Sequence, residues 1–345
     1  MSKTLSTSKP PTRILELGNR IRKFVSARET GVLVALVLMG LFLTFATHST
    51  FLTARNLLNV GRQVSLTGIM AVGMSFVLIS REVDLSVGSI YCVSSLMTGI
   101  LLLQRWNLWL AILAGLAIGA FIGLLNGWFS TYGQLPSFIV TLGMMSVARG
   151  SALLITNGQP VTINVSMGGD PKTLETFFFL GQGRIFDWMP MQLIFFLVVA
   201  LLGGILLART VFGFRVYAVG GSDKAARTSG INVYATKVWA FVIMGALSAL
   251  SGILGLAFLP SGQAGRTGMG LELEVIAATI IGGASLGGGE GTILGTILGV
   301  LIIGTLRNGL VLMGISPFWQ ETAIGAVIIL AVGIDKWTRG SRQQA

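Results

Sequence analysis

The sequence predicts an all-α, polytopic membrane protein of about ten transmembrane helices, in two loosely related halves, with both termini cytoplasmic. Three observations carry that expectation. Of 345 residues, 53% are hydrophobic and only 11% charged, against about 25% charged in a soluble domain. Mean hydropathy is +0.81, and several windows exceed the ~18 mostly apolar residues that mark a membrane helix. The basic residues behind the net charge of +11 gather in particular loops, as they do on the cytoplasmic side of membrane proteins. The same charge would suit a nucleic-acid binder, but the apolar runs would not, so no nucleic acid is expected as a partner.

Taken in order, residues 1–30 read as a cytoplasmic tail. Lys3, Lys9, Arg13, Arg20, Arg22, Lys23 and Arg28 face only Glu16 and Glu29 there. A short interfacial helix is expected near residues 14–24. No A-x-A cleavage pattern follows, so the first span is expected to stay attached. Residues 31–335 form the membrane domain and 336–345 a cytoplasmic tail. The first five spans are expected at 31–45, 65–79, 85–103, 108–129 and 137–155. The second five are expected at 191–207, 238–259, 273–286, 291–306 and 319–334. The second and eighth are short, which suggests broken or re-entrant helices.

Ten spans and an inside amino terminus place residues 157–190 outside. That loop has Lys172 and Arg184 against Asp170, Glu175 and Asp187, a net of −1. Residues 209–237 fall inside, with Arg209, Arg215, Lys224, Arg227 and Lys237 against Asp223, a net of +4. In the inside carboxyl tail Lys336, Arg339 and Arg342 face Asp335 alone. The sign of the bias agrees with the topology. Arg55 and Arg62 oppose it, since both fall near the outer end of span two. Trp106, Trp109, Trp188 and Trp319 fall near span ends, where amphipathic rings anchor at the interface.

Several chemistries are excluded by what is scarce. Cys92 is the single cysteine, so no intramolecular disulfide forms. His48 is the single histidine, which removes a His-rich metal site or a histidine relay. The chain has no G-x-x-x-x-G-K-[ST] loop to cradle ATP phosphates; if ATP drives it, another chain hydrolyses it. Glycine is abundant, with 47 residues. Gly115, Gly119, Gly123 and Gly127 share one face of span four, and Gly291, Gly295 and Gly299 one face of span nine. Such faces let helix backbones approach closely. Both runs lead to Asn-Gly (Asn126-Gly127, Asn308-Gly309) and then to a proline before another span (Pro136, Pro317), a weak echo between two halves.

The segment 216–237, VYAVGGSDKAARTSGINVYATK, interrupts two apolar stretches. Ser222 suits an N-cap, Asp223 the first turn, and Ala225 and Ala226 a helix interior. Arg227 lies toward the far end, and Gly230 terminates. About two turns are expected over 223–229, or roughly 10 Å, too short to be stable alone in water. The segment is either a surface turn packed on the chain's own spans or a docking peg for a cytoplasmic partner.

These residues carry a resemblance. Gly220-Gly221-Ser222-Asp223-Lys224-Ala225-Ala226-Arg227, with Ser229-Gly230-Ile231 after it, resembles the coupling segment of ATP-binding-cassette importer permeases of the ribose/xylose/arabinose type. Many of those read A-x-G-G-N-x-x-A-A-x-x-x-G-I, so Ser222 replaces the usual asparagine. Met70–Met74 resembles the family's second span, and Val83-Asp84-Leu85-Ser86-Val87-Gly88-Ser89 its I-D-L-S-V-G-S signature. Pro136–Gly143, Arg149-Gly150 and Glu272–Ala278 match further stretches in the family's order, with Glu274 for the usual aspartate.

The resemblance implies a permease for a monosaccharide in the inner (plasma) membrane, working by alternating access. Its implied partners are a cytoplasmic ATPase holding ATP and Mg, a second permease subunit and an extracytoplasmic sugar-binding protein; the chain itself holds no cofactor or metal. It also implies that Gly221, Ser222, Asp223, Ala225, Ala226, Arg227, Gly230 and Ile231 dock on the ATPase, the two alanines fitting a close groove.

Candidate pathway residues are Asp84, Ser86, Asn126, Thr141, Arg149 and Asn308, each with a bland alternative. Asp84 and Ser86 would cap span three, and Arg149 would bond backbone carbonyls. Permeases for a nucleoside or a branched-chain amino acid, and an ion-coupled transporter, are the rival readings; no catalytic cluster points to an enzyme.

Overall fold

The computed structural model describes residues 27–316 and isolated helical positions between 319 and 333. The expected tenth span and both tails, with the helix at 14–24, therefore lie wholly or largely outside the described residues. Twelve α-helices are present among those described: α1 (Ala27–Ala46), α2 (Ala54–Ile79), α3 (Val87–Leu103), α4 (Leu108–Thr131), α5 (Ser137–Thr156), α6 (Pro171–Gln182), α7 (Met191–Arg209), α8 (Val211–Gly221), α9 (Asp223–Thr228), α10 (Val233–Phe258), α11 (Leu271–Ile281) and α12 (Ile293–Leu312). Seven of them, α1, α2, α4, α5, α7, α10 and α12, are long and apolar enough to cross a membrane. Two antiparallel pairs of two-residue strands, β1 (Val161–Thr162) with β4 (Ser261–Gly262) and β2 (Arg184–Ile185) with β3 (Met189–Pro190), pin the loops. The prediction of an all-helical chain had not included them.

The expected boundaries move in an informative way. Span two is not short: α2 has 26 residues, because Arg55, Asn59, Arg62 and Gln63 lower its hydropathy without stopping the helix. Thr53 caps its start, its hydroxyl accepting from Asn56 N–H at 3.4 Å. The loop expected at 209–237 is largely helical, holding α8, α9 and the first turn of α10. The loop 157–190 contains the amphipathic α6, capped by Asp170, whose carboxylate accepts from Thr173 N–H at 2.9 Å.

The eighth segment is an unbroken short helix, α11, and the irregular backbone lies before it rather than within it. From 259 to 270 the chain is not helical, and α11 then runs for only 11 residues. The irregular part leaves the β1–β4 pair, where Ile163 N–H donates to Pro260 O at 2.9 Å. It then runs beside α3: Cys92 Sγ lies 3.7 Å from Ala264 O, and Gly268 presses on Gly88. Gly270, at φ +81°, turns the chain into α11. Backbone carbonyls outside a helix need partners of their own. Arg149 supplies two, its Nη1 donating to Ala264 O at 2.9 Å and Thr267 O at 2.6 Å.

The centre of the bundle is α10, which packs on α2, α3, α4 and α6. The glycine faces set its closest approach. Gly119 of α4 and Gly245 of α10 lie against each other's backbone, and Gly295 of α12 lies likewise against Gly282 after α11. A methyl group at any of these would strike main-chain atoms, so close helix packing is what the glycine spacing serves. The two Asn-Gly pairs occupy corresponding places, with Asn126 and Asn308 both buried in the last turns of their helices.

Candidate coupling and translocation sites

The helix α9 has six residues, far below what stands alone in water, and it is held at three levels. Locally, Ser222 Oγ accepts from Ala225 N–H at 3.2 Å. At the other end Gly230, at φ +78°, closes a Schellman motif: its N–H reaches Arg227 O, and Ile231 N–H reaches Ala226 O, both at 3.0 Å. The hydrophobic contact that accompanies this motif is present, because Ile231 packs on a small cluster of Ala226, Val219 and Val233. These interactions join α8, α9 and α10 into one unit.

The second level is charge. Lys237, buried in the second turn of α10, places Nζ 2.8 Å from Glu82 Oε1 and 2.9 Å from Asp223 Oδ2. It thus ties α9 to the segment that follows α2. The third level is aromatic: the Arg227 guanidinium lies 4.6 Å from the centre of the Tyr234 ring, which packs at 5.1 Å on Tyr132 beyond α4. Beneath the unit Gly220 lies against Ile79 O and Gly289 N, and Tyr217 donates to Gly291 O at 2.7 Å. The α9 unit therefore touches the ends of α2, α4 and the turn before α12.

Of the residues singled out from the sequence, Gly221, Ser222, Ala225, Arg227 and Gly230 are exposed, while Asp223 and Ile231 are partly covered. Ala226 is not available: only 3% of it is accessible. The expectation that both alanines face a groove is corrected for Ala226, which fills the chain's own cluster, leaving Ala225 as the outward one. The helix is packed on its own spans, as the first sequence alternative has it, and is open along one face.

The pathway candidates divide into two groups. Asp84, Ser86, Asn126 and Thr141 meet at the α9 end of the bundle, all fully buried. Asp84 Oδ1 accepts from Ser86 N–H at 2.8 Å and Ser86 Oγ at 2.6 Å. Asn126 Nδ2 donates to Ser86 Oγ at 2.8 Å and lies 3.4 Å from Asp84 Oδ2. Thr141 Oγ1 donates to Ser137 O at 2.8 Å and lies 3.4 Å from Val83 O. Ser86 is the N-cap residue of α3, but its side chain makes no capping bond; Asp84 holds the turn instead. Arg149 is elsewhere, reaching from α5 to the non-helical segment 259–270 already described. Asn308 pairs with Asn56 of α2 through two amide bonds of 2.9 and 3.0 Å.

Sequence reasoning missed three partners. Lys237 had been counted as loop charge, although a lysine four residues into a hydrophobic helix signals a buried counter-ion. Asn56 gave no signal. Glu274 was noted only as a departure from the usual aspartate, yet it accepts from Thr67 Oγ1 at 3.2 Å and pairs with Arg307 at 2.9 Å. That pair links α2, α11 and α12 where α11 begins.

Comparison with known proteins gives these features a setting. The ribose import permease protein of Bacillus subtilis (strain 168) is 40% identical over 302 residues, covering 86% of this chain and 91% of that protein. The ribose import permease protein of Escherichia coli (strain K12) is 38% identical, covering 89% and 93%. The xylose transport system permease protein of the same organism is 35% identical, covering 89% and 91%. A solved structure described as an inward-facing conformation of a putative metal-chelate type ABC transporter aligns with a TM-score of 0.46 at 15% identity; no inference about this chain follows from that likeness. A family profile matches residues 56–332, from the third residue of α2 to beyond α12, so the chain belongs to the family described as the permease component of the branched-chain amino acid transport system.

Proposed function

We propose that this chain is the membrane-spanning permease subunit of an ATP-binding-cassette importer for a monosaccharide. One observation carries the reading: two permeases named for ribose import and one for xylose are similar to it along nearly their whole length. The chain crosses the inner membrane ten times within residues 31–335, with the tails 1–30 and 336–345 and α9 in the cytoplasm. A separate ATPase docks on the exposed face of α9, a second permease subunit completes the pathway, and a soluble sugar-binding protein delivers cargo to the opposite end.

The geometry supports a division of labour. Ser222, Lys224 and Ala225 of the α9 segment are exposed, two polar side chains beside a small apolar one, which suits a protein groove. Behind them the Lys237 ion pairs reach Glu82, and the backbone from Glu82 leads into the buried Asp84–Ser86–Asn126 knot at the start of α3. A push on α9 by an ATP-driven partner is thereby delivered to the α2–α3 turn, and alternating access follows if that turn has two arrangements. The family description favours a second cargo, a branched-chain amino acid, carried by the same mechanism.

Reconstitution tests both the mechanism and the cargo. The purified chain in liposomes should neither hydrolyse ATP nor accumulate sugar. With its ATPase, any second permease subunit and its binding protein, it should accumulate labelled ribose or xylose and not leucine. Accumulation by this chain alone under a proton or sodium gradient would move it to the ion-coupled class, and leucine uptake would change the cargo.

A further inference from the structure

Between the end of α4, the turn that follows it and the α9–α10 unit lies an open cleft of about 550 Å³, within the ~300–1,000 Å³ usual for small-molecule sites. α9 lends it Asp223 and Arg227, four residues apart and so on one helical face. Ser222, Lys224 and Ala225, the residues left for the ATPase, do not border it. From α4 and the segment after it come Ser130, Gln134 and Ser137. The lining selects by charge. Glu82 and Asp223 oppose Lys237 and Arg227, two carboxylates against two cations, so neither an anion nor a cation gains a net attraction.

Hydrogen-bonding capacity is nevertheless left over there. Ser130 Oγ and Asp223 Oδ1 are buried and have no hydrogen-bond partner among the described residues, a costly condition that folded proteins keep rare. Arg227 is exposed and has no ion pair among the described residues, and the Gln134 side chain is exposed beside it. What fits is a neutral molecule whose groups both donate and accept, which is the chemistry of a polyol. Its hydroxyls give to Asp223 and Ser130 and take from Arg227 and Gln134. A zwitterion is served less well, because Lys237 already holds both carboxylates, at 2.8 and 2.9 Å. We infer that this cleft is a cytoplasmic sugar site through which the imported monosaccharide slows its own import. The inference rests on the importer reading, which puts the cleft on the side where the cargo accumulates. A sugar bound here bridges α9 to the end of α4. It binds only the arrangement in which the two lie this close, holds that arrangement by mass action and slows the exchange of arrangements that each transport cycle needs.

Binding is tested on the full-length chain in detergent. Ser137→Cys puts a thiol in the cleft lining, while Cys92 is buried and stays unlabelled in the folded protein. Millimolar ribose or xylose should slow maleimide labelling of that thiol by about threefold or more, and leucine should not. Ser130→Leu, which fills the cleft from α4, should abolish the protection. Ser130→Ala, which removes only the hydroxyl, should weaken the sugar about three- to tenfold, as expected for one hydrogen bond. Feedback is tested in proteoliposomes of the whole importer with the ATPase facing the lumen. Unlabelled ribose or xylose enclosed with ATP should lower the initial rate of labelled uptake by about half. Ser130→Leu and Ser130→Ala should match the parental rate when no sugar is enclosed, and Ser130→Leu should lose the inhibition. Absence of protection by either sugar overturns the site, and protection by leucine instead overturns the ligand class. Protection that survives in Ser130→Leu puts the sugar elsewhere and overturns the assignment, and protection without slower uptake overturns the feedback role. If the parent importer shows no uptake, the importer reading falls and the feedback role with it, while the labelling still decides whether the cleft takes a sugar.

Discussion

Lys237→Met is the substitution with the most to say about how α9 is held. At 2.8 Å and an effective dielectric of about 20, each contact of the ammonium is worth about 6 kcal/mol of Coulomb energy, most of it offset by removing the lysine from water. What matters is the state left behind. Asp223 has a side chain 40% accessible, so it regains water and its arm counts as a surface pair of about 0–1 kcal/mol. Glu82 is only 14% accessible and is left charged and poorly hydrated. Breaking a buried pair from one side costs about 3–5 kcal/mol, and the partial exposure of Glu82 puts the expected loss near the lower end, about 3 kcal/mol. Asp223→Asn should cost under about 1 kcal/mol, and Glu82→Gln/Lys237→Met should recover about 2 kcal/mol of the single loss. The chain supplies its own probe, since Cys92 is the only cysteine and is buried. Its labelling by a maleimide during a denaturant titration in detergent reports unfolding. Parental labelling in Lys237→Met, or strictly additive effects in the double variant, would refute the argument that this lysine clamps α9 to α2.

Four further outcomes are expected. Ala225→Glu should fold like the parent and lose uptake and ATPase recovery, whereas Ala226→Glu should fail to fold, because it puts a carboxylate among Val219, Val233 and Ile231; the pair is separated by the Cys92 assay and by co-purification. Gly220→Ala should lower expression of folded protein sharply, its methyl group colliding with Ile79 O and Gly289 N, and normal yield would contradict the packing described. Asn308→Leu strands the buried Oδ1 of Asn56, whose Nδ2 keeps Phe51 O, and should cost about 1–3 kcal/mol, only partly recovered by adding Asn56→Leu, which gives up the Phe51 bond. Asp170, held below the usual carboxylate range by the Thr173 backbone N–H and hydroxyl, stabilises α6 above its unfolded pKa and loses that effect as pH falls through its lower folded value. Asp170→Ala should therefore raise proteolysis at α6 at neutral pH and make no difference in strong acid.

Much of the bundle was legible because apolar run length and turn residues are local signals. Ser222 and Gly230 mark helix ends whose bonds the structure supplies. Hydropathy failed where polar residues continue a helix instead of ending it: α2 looked short because the exposed or half-buried Arg55, Asn59, Arg62 and Gln63 counted against it. The site divides along the same line. The bounds of α9 were readable from capping chemistry, yet the inward turn of Ala226 was not, since that depends on where Val219 and Val233 lie. Lys237 and Glu82 are 155 positions apart, and no local pattern announces such a pair.

The non-helical stretch before α11 bears on the order in which the chain is made. Residues 259–270 present carbonyls that no helix satisfies, and two of them, Ala264 O and Thr267 O, are bonded by a single guanidinium from α5. Synthesis from the amino terminus produces Arg149 more than one hundred residues before its clients, together with the α3 surface on which they lie. The early helices thus serve as a template into which the late, otherwise insoluble stretch is received, and a chain rearranged to emit residues 259–270 before α3 and α5 should stall at the translocation machinery.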